Sequence, residues 1–296
     1  MTLEQFIYPT QAELFKKLRN SYKGVVWMAD RFILVRGEAP IMLVAHLDTV
    51  HTEPVRDICK SENGEILMSP QGIGGDDRCG VYALASCYES AKKKPWLLFT
   101  CDEEIGGVGA KAFVTAYEKG QLPDKLADLK LIVEIDRRGK DDAVYYDCDN
   151  MEFEDYITSK GFKTEYGSFS DISHIAPALG VAAVNLSSGY YNAHTEHEYI
   201  NREHLNATIK RVDEIIEDAG QSDFPKFEYV ERRLWGYGDL YDVPSDLPDE
   251  YALLYDELLS YYTLEELEAF REREGNEAIE ELYEYEFGDE TEAHYK

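Results

Sequence analysis

The sequence is short of positive charge, of paired cysteines and of long apolar runs, and each shortage excludes something. It carries 30 lysines and arginines against 59 aspartates and glutamates, a net charge of −29. A surface of that sign repels nucleic acid and anionic membranes, so neither is an expected partner. No segment approaches the ~18 consecutive apolar residues that a bilayer-spanning helix requires. The opening residues, Met1-Thr2-Leu3-Glu4-Gln5, are not a basic region leading into an apolar block, so no signal peptide is expected. The five cysteines, Cys59, Cys79, Cys87, Cys101 and Cys148, form no paired motif and fall mostly in apolar runs. They are expected to be reduced core residues, and the default compartment is the cytoplasm.

What is present is a globular composition. At 296 residues and 44% hydrophobic content, the chain can hold one large domain with its own core, or a domain and an appendage. The charge is uneven. Residues 221–296 contain 23 acids against 6 lysines and arginines, a net −17, which leaves −12 for the first 220 residues. The expected organisation is therefore a main domain over 1–220 and an acidic, tyrosine-rich helical extension over 221–296.

Periodicity predicts the elements. Thr10-Gln11-Ala12-Glu13 matches a capping box, with Leu14, Phe15 and Leu18 behind it on one helical face. Val25-Val26-Trp27-Met28 and Arg31-Phe32-Ile33-Leu34-Val35 read as a β-hairpin. Ile41 to Ala45, Trp96 to Cys101 and Leu129 to Ile135 read as strands, the first two as continuous apolar runs covered on both faces, and Val181 to Leu186 as a late strand. Helices are expected over Val81–Ala91, Val108–Lys119 and Arg202–Ala219. Strand and helix alternate throughout, so the predicted fold is α/β, a three-layer α/β/α arrangement around a mixed, largely parallel sheet. In the extension, helices are expected around Leu253 to Leu259, behind a capping box at Thr263-Leu264-Glu265-Glu266, and from Asn276. Pro225 to Asp242 reads as a linker or an irregular packing segment.

The strand ends collect acids and imidazoles: His46 and Asp48 after the first covered strand, Glu103 and Glu104 after the second, Asp136 after the third, and His194 after the last. Asp76 and Asp77 join them from a glycine-rich loop that opens a helix. Two aspartates at that mouth would repel phosphate, which excludes a nucleotide loop. Singly, each residue has an ordinary explanation, such as a core histidine or a turn or cap aspartate. Together, two imidazoles among carboxylates with no suitably placed thiolate suit a pair of divalent ions, Zn²⁺ first, with Mn²⁺ or Co²⁺ as alternatives.

His46-Leu47-Asp48-Thr49-Val50, Asp76-Asp77-Arg78-Cys79-Gly80, Glu103-Glu104-Ile105-Gly106-Gly107, Glu134-Ile135-Asp136 and His194-Thr195-Glu196-His197-Glu198 together resemble the five motifs of the co-catalytic dinuclear zinc exopeptidases. That superfamily includes zinc aminopeptidases, tripeptidases, carboxypeptidases and aminoacylases. The resemblance implies that His46 and Asp136 hold one ion, that Glu104 and His194 hold the other, and that Asp76 bridges the two. It implies Glu103 as general base and Asp48 as the partner that fixes the tautomer of His46. It also implies a cis bond after Asp76. Asp77 competes with Asp76, and His197 with His194; the Glu four places after His194 matches the family spacing and favours His194.

Many members insert a lid or dimerisation domain between motifs. Here His46 to Asp76 is 30 positions and Asp136 to His194 is 58, too short for one. Substrate recognition is then expected from loops, with Tyr190, Tyr191, Asn192 and Arg137 or Arg138 as candidate contacts. Asp171 is expected to cap the helix that carries His174, and His51, His204 and His294 to be exposed or structural. The expected activity is aminopeptidase action on short peptides. Alternatives are a carboxypeptidase or N-acyl amino acid deacylase on the same site, or an acidic binding module whose metal site has lapsed. Self-association through the extension is a further expectation.

Overall fold

The computed structural model describes residues 2–167 and 169–231, together with scattered positions between Leu258 and Tyr283. The chain divides into two compact units, Met1–Arg232 and Arg233–Lys296.

The first unit opens with a short helix α1 (Glu4–Ile7) and with α2 (Gln11–Ser21). The expected capping box is formed, with Thr10 and Glu13 satisfying each other's backbone N–H groups. The predicted hairpin follows as β1 (Val25–Met28) and β2 (Phe32–Val35), and then β3 (Ile41–His46). Two short strands, β4 (Cys59–Lys60) and β5 (Ile66–Met68), precede α3 (Gly75–Ser90). Beyond these come β6 (Trp96–Thr100), α4 (Val108–Glu118), β7 (Leu131–Arg137), β8 (Asp142–Val144), α5 (Met151–Ser159), β9 (Lys163–Glu165) and α6 (Ile172–Leu179). The unit continues through β10 (Ala183–Ser187), β11 (Tyr190–Tyr191), β12 (Tyr199–Asn201) and α7 (Arg202–Ala219).

Eight strands form one sheet in the order β1-β2-β6-β3-β7-β10-β8-β9, and β11-β12-β5-β4 form a second, smaller one. The central neighbours β6, β3, β7 and β10 are mutually parallel, so their carboxyl ends share one edge. The hairpin extends that core antiparallel through β2, and β8 pairs antiparallel with β10.

Alternation along β3 explains why this sheet is covered twice. Ile41, Leu43 and Ala45 pack into one cluster with residues of α2, α3, α5 and α7, whereas Met42 and Val44 pack into another with α4 and α6. Successive side chains point to opposite faces, so a wholly apolar strand is stable only between two helical layers. The result is the expected three-layer α/β/α fold.

The segment Phe224 to Glu231 was expected within the extension, but it belongs to the first unit. Phe227 is buried against Phe153 and Tyr156, and bridges link Val181 to Glu228 and Cys148 to Glu231. The aromatic spacing of Phe224, Phe227 and Tyr229 binds it there more strongly than its acidic composition suggests. In the second unit, Leu258, Leu267 and Ile279 are helical and buried. Thr263 and the stretch from Arg232 to Asp242 lie outside the described residues.

All five cysteines are free, and four are buried as expected; Cys59 is exposed because β4 is an edge strand of the small sheet. Among the described residues, no helix is long and apolar enough to cross a membrane.

Candidate active site

The carboxyl edge of the four parallel strands brings the predicted residues together. His46 ends β3, and its Nε2 lies 3.1 Å from Oδ1 of Asp76 and 3.5 Å from Oδ1 of Asp136 at the end of β7. The other oxygen of Asp76, Oδ2, lies 3.3 Å from Nε2 of His194. That same Nε2 is 3.2 Å from Oε2 of Glu104. One carboxylate thus stands between two sets of an imidazole and a carboxylate. Here the first residues of α3 are not helical, and Asp76 (φ −80°, ψ 105°) and Asp77 (φ −115°, ψ 39°) are joined by the cis bond that the resemblance implied.

The site suits divalent cations. Glu104 Oε1 and Asp136 Oδ1 are buried with no hydrogen-bond partner. Buried carboxylate oxygens without donors are unfavourable unless a cation satisfies them. The donor set of imidazole nitrogen and carboxylate oxygen is one that Zn²⁺ accepts.

The two rivals have different partners. Asp77 lies close enough to His46 and Asp136 to join a metal cluster, and each of its oxygens also accepts a backbone N–H. Oδ2 accepts the N–H of His46 at 3.3 Å and Oδ1 accepts that of Gly80 at 2.9 Å. Asp77 therefore holds the end of β3 against the start of α3. His197 is exposed, and its backbone N–H donates to the Thr195 hydroxyl.

Other expectations change in detail. Asp48 lies 3.4 Å from Nδ1 of His46, but that nitrogen makes no directed hydrogen bond. The Asp48 oxygens instead accept the backbone N–H groups of Glu103 and Glu104, each at 3.1 Å. Asp48 thus fixes the loop that carries both glutamates.

Tyr190 is buried, and its hydroxyl donates to the Asp136 carbonyl at 3.1 Å. Tyr191 turns towards α7, stacked on Tyr199 with its hydroxyl 2.6 Å from Nδ1 of His204. Asn192 is exposed and donates to the His197 carbonyl, and Arg137 donates to the Tyr166 carbonyl. Asp171 makes no side-chain cap; it is fully buried and accepts the Thr100 hydroxyl.

Below the ligand cluster lies a polar layer that sequence reasoning missed. Asn185 accepts the Asp136 N–H at 2.8 Å and donates to the Tyr146 hydroxyl at 3.0 Å, while Glu134 accepts the Ser170 hydroxyl. A signal existed. Glu134 and Asn185 are polar residues at buried positions inside apolar strands, where each requires a partner.

Burial and like charge set the protonation of the cluster. Burial would lower the pKa of His46, but Asp136, Asp48 and Asp76 raise it well above the ordinary value. Hydrogen bonds to Asp76 and Glu104 push His194 up to about 11. Burial, joined by the charge of Asp76, lifts Asp136 well above the carboxylate range. For Asp76, burial also pulls upward, yet its bonds to His194 and His46 hold it low. Glu103 is pushed up to about 8, chiefly by burial and then by Asp171 and Glu104. A cavity of about 270 Å³ lies behind Asp48, lined by Pro9, Thr49, His51, Val55 and Arg78. Asp48 also lines it, and none of the clustered ligand candidates does.

No protein-family model and no curated protein matches the sequence. Solved structures do match the fold. A tripeptidase from Staphylococcus aureus subsp. aureus Mu50 superposes with a TM-score of 0.55 at 15% identity, covering 74% of this chain and 97% of that one. The aminopeptidase PepT from Bacillus cereus ATCC 10987 gives 0.55 at 16% identity over the same shares, 74% and 97%. A TET aminopeptidase from the marine sediment archaeon Thaumarchaeota archaeon SCGC AB-539-E09 gives 0.53 at 11%, covering 72% and 96%. The α/β architecture of this chain is the fold of these tripeptidase and aminopeptidase structures.

Proposed function

We propose that the chain is a dinuclear metal-dependent exopeptidase, acting as an aminopeptidase on short peptides. The observation that carries this reading is Asp76, each of whose oxygens faces a separate pair of imidazole and carboxylate. His46 and Asp136 would hold one divalent ion and Glu104 and His194 the other, with Asp76 shared. Zn²⁺ is the first choice, with Mn²⁺ or Co²⁺ as alternatives. Such a pair supplies Lewis acidity and lowers the pKa of a bound water towards about 7.

The protein's own part is proton transfer and positioning. Glu103 takes the proton of the attacking water on its carboxylate and delivers it to the departing amine. Its ionised form would be favoured by bound cations, against the upward push of burial. Asp48 holds Glu103 in register with Glu104 through their backbone N–H groups. Tyr190 and Asn185 hold Asp136 from its two backbone sides. In this reading residues 1–232 supply the chemistry in the cytoplasm, and 233–296 form an acidic extension through which copies associate.

The test has two arms. Metal analysis is expected to find close to two ions per chain, and a zinc- or cobalt-loaded preparation to cleave free-amine peptides. One ion or none in well-folded protein overturns the dinuclear reading. Cleavage of N-acyl amino acids alone, with free-amine peptides untouched, replaces the aminopeptidase by a deacylase.

A further inference from the structure

Glu198 is buried at 1% exposure, yet it is outside the ligand cluster. Its Oε1 accepts the backbone N–H of Asp76 at 2.9 Å. Its Oε2 accepts the N–H of Gly74 at 2.9 Å and lies 2.7 Å from Nε2 of His51. One carboxylate therefore joins three segments. These are the loop that carries His194, four residues earlier; the non-helical start of α3 with Asp76; and the stretch that leaves β3 after His46 and Asp48.

The backbone is shaped around this contact. A Cβ on Gly75 would lie 3.2 Å from Glu198 Oε1 and 2.7 Å from Cβ of Tyr190. A Cβ on Gly72 would lie 2.2 Å from Nδ1 of His51. Any larger residue at either place would displace the latch, so glycine is used there for close approach. Charge-assisted bonds from a carboxylate to backbone N–H groups are among the stronger hydrogen bonds, and burial keeps water from competing.

Resting on the proposed dinuclear reading, we infer that Glu198 is a positioning residue that sets the bridging carboxylate, clamping the Asp76 backbone to the His194 loop and, through His51, to the His46 strand. It touches neither substrate nor reacting atoms. It acts on both metal positions at once, because Asp76 is the shared ligand. Partners that orient metal ligands typically contribute 10–100-fold in metal affinity.

The experiment is zinc competition against a chromophoric chelator, with the cobalt absorption spectrum as a second readout, on full-length wild type, Glu198→Gln, Glu198→Ala and His51→Ala. Glu198→Gln keeps one acceptor but turns an NH₂ towards a donor. It is expected to weaken zinc binding about 10–100-fold at both positions and to shift the cobalt bands, while the melting temperature of the loaded protein changes little. Glu198→Ala should lose more, and His51→Ala less. If Glu198→Ala does not fold, Glu198→Gln and His51→Ala decide the matter. Wild type that holds two ions beside a Glu198→Gln variant of equal affinity and unchanged cobalt spectrum overturns the latch. A falling melting temperature with unaltered zinc affinity also overturns it, in favour of a purely structural role. Wild type that binds no ion pair fails the proposed function instead, so the two failures are distinct.

Discussion

The two halves of the site are built differently. His46 sits at the end of a central strand with 1% of its side chain exposed, and Asp136, its neighbour, is tied by Asn185 and Tyr190. His194 is 55% exposed, on a loop where its own φ is +62°. The buried half has its geometry imposed by the sheet. The other half is completed by a loop, so in the proposed reading more of its order would come from a bound ion and from Glu198. A first ion is thus expected to bind tightly at His46 and Asp136, and a second more weakly at Glu104 and His194.

Breaking the shared element should have the largest effect. Asp76→Ala is expected to remove both ions and abolish hydrolysis, which metal analysis and a peptide assay check together. Retention of one tightly held ion would show the halves to be independent. Glu103→Ala should retain both ions but lose about 10²–10⁴-fold in kcat, the usual contribution of a positioned proton carrier. Loss of metal in that variant would make Glu103 a ligand instead of the base. His194→Ala sharpens the comparison directly: one ion per chain is expected to remain, at the His46 side. Asn185→Ala is the converse, with about 10–100-fold weaker binding at the buried position and little change at the exposed one.

The smallest effect is one of pH on the metal-free protein. His46, His194, Asp77, Glu103, Glu134, Asp136 and Asp171 all have raised pKa values in the fold. The native state therefore holds more protons than the unfolded chain once the pH exceeds the ordinary carboxylate values, and stability falls as pH rises. For Glu103 the window runs from the ordinary 4.5 to about 8. Asp48 and Asp76 are lowered and act in the opposite direction, but only at acid pH. Calorimetry should show the melting temperature of metal-free protein declining between pH 5 and 8, and saturating zinc reversing that decline. A flat metal-free profile would show that the cluster is better solvated than its burial implies.

Much of this was legible from residue types alone. A strand such as Ile41 to Ala45 has no polar face, so helices on both sides were predictable, and a capping box such as Thr10 with Glu13 depends only on neighbours in sequence. Most of the ligand set was legible because His46, Glu104 and Asp136 follow strand-like apolar runs, whereas Asp76 stands in a glycine-rich loop and was legible only through its motif. The supporting residues were not. Tyr190 drew notice because it precedes His194, and its bond to the Asp136 carbonyl could not be read from that spacing. Asp171 looked like a cap because it precedes a helix, but it lies in αR conformation with its carboxylate turned to Thr100. Glu198 was noticed only for its spacing from His194.

The sequence by itself determined the layered α/β fold and the identity of the clustered acids and imidazoles, because local periodicity and strand ends are properties of neighbouring residues. Only the tertiary structure decided which aspartate faces both histidines, since Asp76 and Asp77 differ by a single position. The deciding contacts come from far away in the chain. Asp77 is consumed by the N–H of His46, and Asp76 is held by Glu198, which leaves its carboxylate free to face both sides.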